Sequence, residues 1–265
     1  MELIDTHSHL YAPEFDDDRE AVLQRARAAG VMTLLLPAID SESHARMLAL
    51  SSLHPDSCRP MMGLHPTSIN DNPLWREELL QVEEYLKNPP VDRFVGIGEI
   101  GLDFYWSDQF RAEQTIAFRR QIELSLTYNL PIVIHTRSAW PEMLAIIESY
   151  AGSGVRGVFH AFSEPEETYQ RLKNSGDFLF GIGGMVTFKK SALAATVRTM
   201  NLRDLVLETD CPYLTPAPFR GTRNESGYIP YICDQIANLT GYTSSEVARL
   251  TTANAHRMFD LNRSL

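Results

Sequence analysis

In PIVIHT, residues 131–136, three consecutive β-branched aliphatic residues run straight into a histidine. A strand with one face in water alternates apolar and polar side chains. One that is apolar at every position is buried on both faces, as in a parallel sheet covered by helices. His135 then stands where the chain leaves the sheet. The same pattern recurs along the chain in ELIDTH (2–7), VMTLLLPA (31–38), MMGLH (61–65), RFVGIGEIGL (93–102), RGVFHAF (156–162), FLFGIGGM (178–185) and LVLETD (205–210).

Segments of helical length separate these runs. DDDREAVLQRARAAG (16–30) is acidic at its start and ends on Gly30, which suits the polarity of a helix and its C-terminal cap. In RAEQTIAFRRQIELSLTYN (111–129), Phe118, Ile122 and Leu126 are spaced four apart and predict one buried face. A C-terminal helical pair, 228–241 and 244–261, is expected to complete an outer ring. Eight strands alternating with helices predict an α/β (β/α)8 TIM barrel, each crossover right-handed, with residues 1–265 forming a single domain.

The composition fits that reading. With 44% hydrophobic and 22% charged residues the chain is an ordinary globular protein with material for a large core. No apolar run approaches the roughly 20 residues that span a bilayer, and the start of the chain lacks the pattern of a secretory signal. No membrane association is expected, and nothing points to an obligate protein partner. Cys58, Cys211 and Cys233 are few, odd in number and far apart, which suggests a reducing cytoplasm rather than a disulfide framework. The net charge of −10 argues against a nonspecific nucleic-acid coat, but not against a phosphate substrate held through cations.

In a barrel of this class, chemistry sits at the C-terminal ends of the strands. The reactive residues cluster at those ends: His7 and His9, His65, Glu99, His135, His160 and Asp210. Side chains at i and i+2 of a strand share a side, so His7 and His9 are placed to grip one ion while Thr6 and Ser8 face away. A single histidine after an apolar run is most simply a core residue bonded to a carbonyl. Four histidines and two carboxylates at matching strand ends are too costly to bury without a cation, and the set favours metal. Glu208 falls one layer deeper than Asp210 and reads as a support for the ligands. His65 is assigned to substrate contact or to structure. Arg137 pairs with a phosphate or with Glu99 or Glu208. Cys211 lacks a dedicated base and reads as a small apolar filler. The DFYW loop (103–106) offers aromatic faces to a base or packs as an ordinary loop.

Together, DTHSHL, GLHP, GEIGLDFYW, PIVIHTR, FHAFS, GIGGMVTFKK and LETDCPYLTPAPFRGTRNES resemble the TatD family of metal-dependent deoxyribonucleases, within the amidohydrolase-like group of metal-dependent hydrolase barrels. The resemblance spans essentially the whole chain. It implies a two-metal centre, with His7, His9 and Asp210 holding one divalent ion, His135 and His160 the other, and Glu99 bridging both. It implies hydrolysis of DNA phosphodiesters, as a 3′-to-5′ exonuclease on single-stranded ends, with Glu99 and Asp210 as the catalytic carboxylates. Asp210 would orient or deprotonate the attacking water. His65, Arg137 and Arg223 would contact substrate, with Arg220 and Asn224 beyond them. Mg, Mn and Zn all suit parts of this ligand set. The chain departs from common family patterns at Thr67, after His65-Pro66, and at Glu164, which adds a carboxylate near the site.

The competing enzymatic reading is an ester or amide hydrolase on the same centre, such as a D-aminoacyl-tRNA deacylase. A non-catalytic, metal-stabilised nucleic-acid-binding barrel is the third. Barrel architecture alone does not choose among them.

Overall fold

A computed structural model describes residues 2–262. Eight parallel strands run β1 Leu3–Asp5, β2 Val31–Pro37, β3 Cys58–Met61, β4 Ile97–Asp103, β5 Ile132–Arg137, β6 Arg156–Phe159, β7 Asp177–Ile182 and β8 Leu205–Leu207. They form two hydrogen-bonded sets, β1-β2-β3 and β4 through β8 in order. Two seams join the sets into a barrel. At one, Thr6 N donates to Leu207 O (3.0 Å) and Asp210 N to His7 O (2.9 Å). At the other, Val95 N donates to Pro60 O (3.0 Å) and Gly98 N to Met62 O (3.1 Å).

The intervening helices are α1 Arg19–Ala28, α2 Ser41–Leu53, α3 Trp75–Lys87, α4 Arg111–Tyr128, α5 Trp140–Ser149, α6 Glu166–Ser175, α7 Leu193–Val197, α8 Ile229–Thr240 and α9 Ser244–Phe259. Local chemistry sets their ends. Helix α1 stops where Gly30 takes φ +87°, the left-handed cap its position predicts. Asp40 and Ser43 exchange side-chain and backbone bonds in a capping box that starts α2.

Three expectations are corrected. The third strand lies at Cys58–Met61, earlier than MMGLH suggests. Beyond it, Leu64 gives both backbone groups to the Gln121 side chain (2.8 and 3.1 Å), so this segment pairs with a helix instead of continuing as a strand. In α4, Phe118 and Ile122 are buried but Leu126 is 36% exposed. At 100° per residue Leu126 has drifted well round the helix from Phe118, and the buried Ser125 takes its place on the face. Finally, α9 does more than complete the outer ring: its Ala255, Met258 and Phe259 pack against the strand interior and close the barrel floor.

That floor is a layer of one apolar side chain from each of seven strands, Ile4, Leu35, Met61, Val133, Val158, Leu179 and Val206, together with Val95 just before β4. Outside the sheet, Phe159, Phe178 and Phe180 join Trp140, Phe162 and Tyr169 in an aromatic cluster under α5 and α6. Each such buried aromatic is worth roughly 2–3 kcal/mol of burial. The consequence for function is a rigid, dry base beneath the mouth.

Candidate metal centre

The strand period of two converts the apolar floor into a polar layer above it. Two residues beyond Val133, Val158 and Val206 stand His135, His160 and Glu208. Gly181, two beyond Leu179, leaves the space that the Glu208 carboxylate fills; a Cβ at that glycine would collide with it. Glu99 joins the layer because the β4–β5 register shifts between Ile97 and Ile100. Asp210 follows the end of β8 and takes φ +58°, a left-handed conformation that aspartate tolerates better than most residues.

These side chains converge. His7 Nε2 lies 3.1 Å from His9 Nε2, 3.2 Å from Glu99 Oε2 and 3.8 Å from Asp210 Oδ1. His9 Nε2 is 3.7 Å from Glu99 Oε2 and 3.4 Å from Asp210 Oδ1. The other Glu99 oxygen, Oε1, is 3.1 Å from His135 Nδ1 and 3.7 Å from His160 Nε2. Asp210 Oδ2 lies 3.8 Å from His160 Nε2. Donors bound at about 2.1 Å to one ion sit roughly 3.0–3.4 Å apart, so the shorter of these separations match the edge of a coordination shell and the longer ones exceed it slightly. The two Glu99 oxygens face different histidine sets, and the residues fit one or more divalent cations.

Hydrogen bonding decides which imidazole nitrogens are free to ligate. Tyr11 Oη donates to Pro37 O (2.5 Å) and therefore accepts from His9 Nδ1–H (2.8 Å), which leaves a lone pair on His9 Nε2. Asp103 Oδ2 holds His135 Nε2 at 2.9 Å and leaves Nδ1 toward Glu99. Glu208 Oε1 lies 3.0 Å from His160 Nδ1 and accepts from Ala161 N, so His160 Nε2 faces the centre. His65 is set the other way. Thr67 N–H donates to its Nδ1 (3.2 Å), so the proton sits on Nε2, 3.5 Å from Glu99 Oε1. Its protonated Nε2 makes His65 a donor rather than a ligand, although its atoms lie close enough to Glu99 and His135 to form a donor group with them.

The charges are complementary. Burial pushes the Glu99 carboxyl up, but the imidazoles of His7, His65 and His160 and the bond from His135 hold it well below the usual carboxylate range. Asp210, opposed by burial, is likewise held down by His160, His9 and His7. Burial and the neighbouring His160 lower His7, which favours its neutral, ligating form. His135 and His160 move the other way despite burial, to about 9 and about 10, because each faces two or more carboxylates. Such a set binds protons until a stronger cation replaces them.

Other expected contacts distribute unevenly. His65 caps a short 3-10 turn, Pro66–Ile69, instead of ending a strand, and Thr67 Oγ1 is 2.7 Å from its Nδ1. Arg137 makes no ion pair with Glu99 or Glu208; its guanidinium lies over the Tyr105 ring at 3.6 Å. Arg223 bonds Asp18 (2.8 Å) and Glu14 O (2.6 Å) through Nη2 and Nη1, which braces the loop after β8. Asn224 is fully buried and donates to Thr209 O and Tyr213 O. Glu164 is part-buried, and burial raises its carboxyl. Cys211 is buried, its thiol pushed up to about 12 by desolvation, which suits a packing role. Asp103 and Tyr11 are the supports that sequence reasoning missed. The signal for Asp103 was present: Glu99, Gly101 and Asp103 alternate along one strand.

A sequence profile of the family described as TatD related DNase matches residues 4–260. The chain is 36% identical over 261 residues to the metal-dependent hydrolase YabD of Bacillus subtilis, covering 98% of this chain and 100% of that protein. It is 30% identical to the 3′-5′ ssDNA/RNA exonuclease TatD of Erwinia tasmaniensis, covering 98% and 100%. The crystal structure of YjjV, a TatD homologue from Escherichia coli K12, superposes with a TM-score of 0.90 at 29% identity, covering 97% of this chain and 98% of that one. A TatD family hydrolase from Entamoeba histolytica shares the fold at a TM-score of 0.83 and 23% identity. A barrel mouth whose donor cluster is able to hold metal, on a chain matched end to end by this profile and these relatives, makes the protein a member of the TatD family of metal-dependent hydrolases.

Proposed function

We propose that this hydrolase cleaves phosphodiester bonds of single-stranded DNA from the 3′ end, at a centre of two divalent ions. The observation that carries the reading is the division of the Glu99 carboxylate, with Oε2 toward His7 and His9 and Oε1 toward His135 and His160. The exonuclease relatives support the substrate class. In this assignment His7, His9 and Asp210 would hold one ion and His135 and His160 a second, with Glu99 shared between them. When bound, such ions would supply Lewis-acid polarisation of a phosphoryl oxygen and a lowered pKa for an attacking water.

The chain's own groups do the rest. Asp210 is anionic and, at 16% side-chain exposure, more open than Glu99 at 4%, so it is the carboxylate that orients the water and accepts its proton. His65 Nε2–H donates to a nonbridging phosphate oxygen. Arg137 contributes positive charge at the mouth, its in-plane N–H groups engaged by no side chain among the described residues. The new P–O bond forms from water as the ester P–O bond breaks, and the leaving alkoxide is reprotonated from solvent.

The test is digestion by metal-depleted protein reconstituted with Mg, Mn or Zn, comparing 3′-blocked and 5′-blocked single-stranded DNA with D-aminoacyl-tRNA. Nucleotide release from 5′-blocked but not 3′-blocked DNA is expected. Deacylation without nucleotide release would replace this reading with the aminoacyl-ester one, and inactivity on all three would favour a binding protein.

A further inference from the structure

Beside the metal centre, the ends of β4 and β5 carry three large side chains that the chemistry above leaves largely unused. Tyr105 is 56% exposed and Trp106 is 68% exposed, an unusual state for adjacent aromatic rings at a barrel mouth. The rings meet edge to face, with centroids 5.0 Å apart and planes at 86°, so they form two walls of a corner. Arg137 packs over one face of Tyr105, 3.6 Å from its centroid, and lies 5.4 Å from that of Trp106. Its flat face is spent on Tyr105, while its N–H edges remain available.

The corner is tied to the metal centre through one carboxylate. Asp103 Oδ1 accepts from Tyr105 N (2.9 Å) while Asp103 Oδ2 holds His135 Nε2 (2.9 Å). Phe104 N donates to Arg137 O (3.0 Å) and fixes the two strand ends together. A group resting on these rings is therefore held in a fixed relation to whatever bond the centre cleaves.

From this geometry we infer that Tyr105, Trp106 and Arg137 form a stacking corner for the terminal nucleobase of the strand, with Arg137 bridging to its phosphate. The inference rests on the nucleic-acid reading of the site. The local chemistry supports the occupant. The protein as a whole carries a net −10 and repels a polyanion at long range, so binding has to come from local contacts, and stacking on an exposed indole is a source of affinity that does not depend on net charge. A planar cation resting against an exposed aromatic pair matches a π-face joined to an anion better than it matches an apolar peptide.

Trp106 also provides the readout, because Trp75 is only 5% exposed and Trp140 is part-buried. Metal-reconstituted protein is titrated with a phosphorothioate-protected single-stranded oligonucleotide, ending either in an ordinary nucleotide or in an abasic one. Tryptophan emission should be quenched by the first and far less by the second, and Trp106→Phe should remove most of the response. Trp106→Ala and Tyr105→Ala should each lower the ratio of kcat/KM for intact over abasic ends about tenfold, the scale of one lost base stack. Equal quenching by the two ends, or a ratio unchanged in both variants, overturns the corner. Base-dependent quenching without nucleotide release under any metal would instead defeat the hydrolytic reading and leave the corner standing.

Discussion

Asp103 Oδ2 lies 2.9 Å from His135 Nε2, on the side of the imidazole opposite Glu99. The carboxylate fixes ring orientation and places the lone pair on Nδ1, which a ligating histidine needs. Asp103→Asn keeps the shape but weakens the acceptor. Metal affinity should fall about 10–100-fold, the usual effect of removing such a support. Chelator-competition titration measures it, and activity should recover at high metal concentration. An unchanged affinity would mean that Asp103 serves only the Tyr105 turn.

Glu99 and Asp210 are expected to fail differently. Glu99 touches both histidine sets, so Glu99→Gln should lose metal stoichiometry and turnover together. Asp210 is the more open carboxylate, and Asp210→Asn should lower single-turnover rate by about 10²–10⁴. Metal content by atomic spectroscopy beside single-turnover kinetics separates the two. A Glu99→Gln protein with full metal content and near-normal turnover would refute the bridge.

The metal-free protein should be less stable in alkali. His135 and His160 are raised to about 9 and about 10, above the ordinary histidine value of 6.5. Their protonation thus stabilises the fold fully below about pH 6.5 and is lost as pH climbs through 9–10, at up to about 1.4 kcal/mol per pH unit per proton. Glu99 and Asp210 are lowered, so their contribution is present above the ordinary carboxylate range and disappears only in acid. Bound metal displaces the histidine protons and should flatten the alkaline decline. Melting temperature against pH, with chelator and with Zn or Mn, checks this; a chelated protein equally stable at pH 6.5 and 9.5 would contradict it.

Tyr11→Phe removes the hydroxyl shared by His9 Nδ1 and Pro37 O. Both partners are left buried without a protein acceptor or donor at that point, at a cost of about 1–3 kcal/mol. Denaturant unfolding measures the loss. Weaker metal binding should accompany it, since His9 is then free to take the other tautomer. A variant as stable as the parent would show that water replaces the hydroxyl.

The eight-strand alternation and the set of histidines and carboxylates that gather at the barrel mouth were legible because both depend on local pattern. Apolar runs such as Ile132–Ile134 report burial on two faces, and a buried histidine or carboxylate beyond them is too expensive to lack a partner. The spacing of His7 and His9 even predicted a shared side, and their Nε2 atoms do meet at 3.1 Å. Tertiary structure decided everything that depends on what lies across the barrel. The tautomers of His9, His65 and His135 follow from Tyr11, Thr67 and Asp103, whose own roles are set by backbone turns and strand register. Arg137 and Arg223 look interchangeable as cations in the sequence, yet one rests on exposed aromatic rings and the other pairs with Asp18. Local sequence sets which groups exist and roughly how they alternate; hydrogen-bond direction and charge pairing are pairwise properties, and the partners are chosen only when distant strands close.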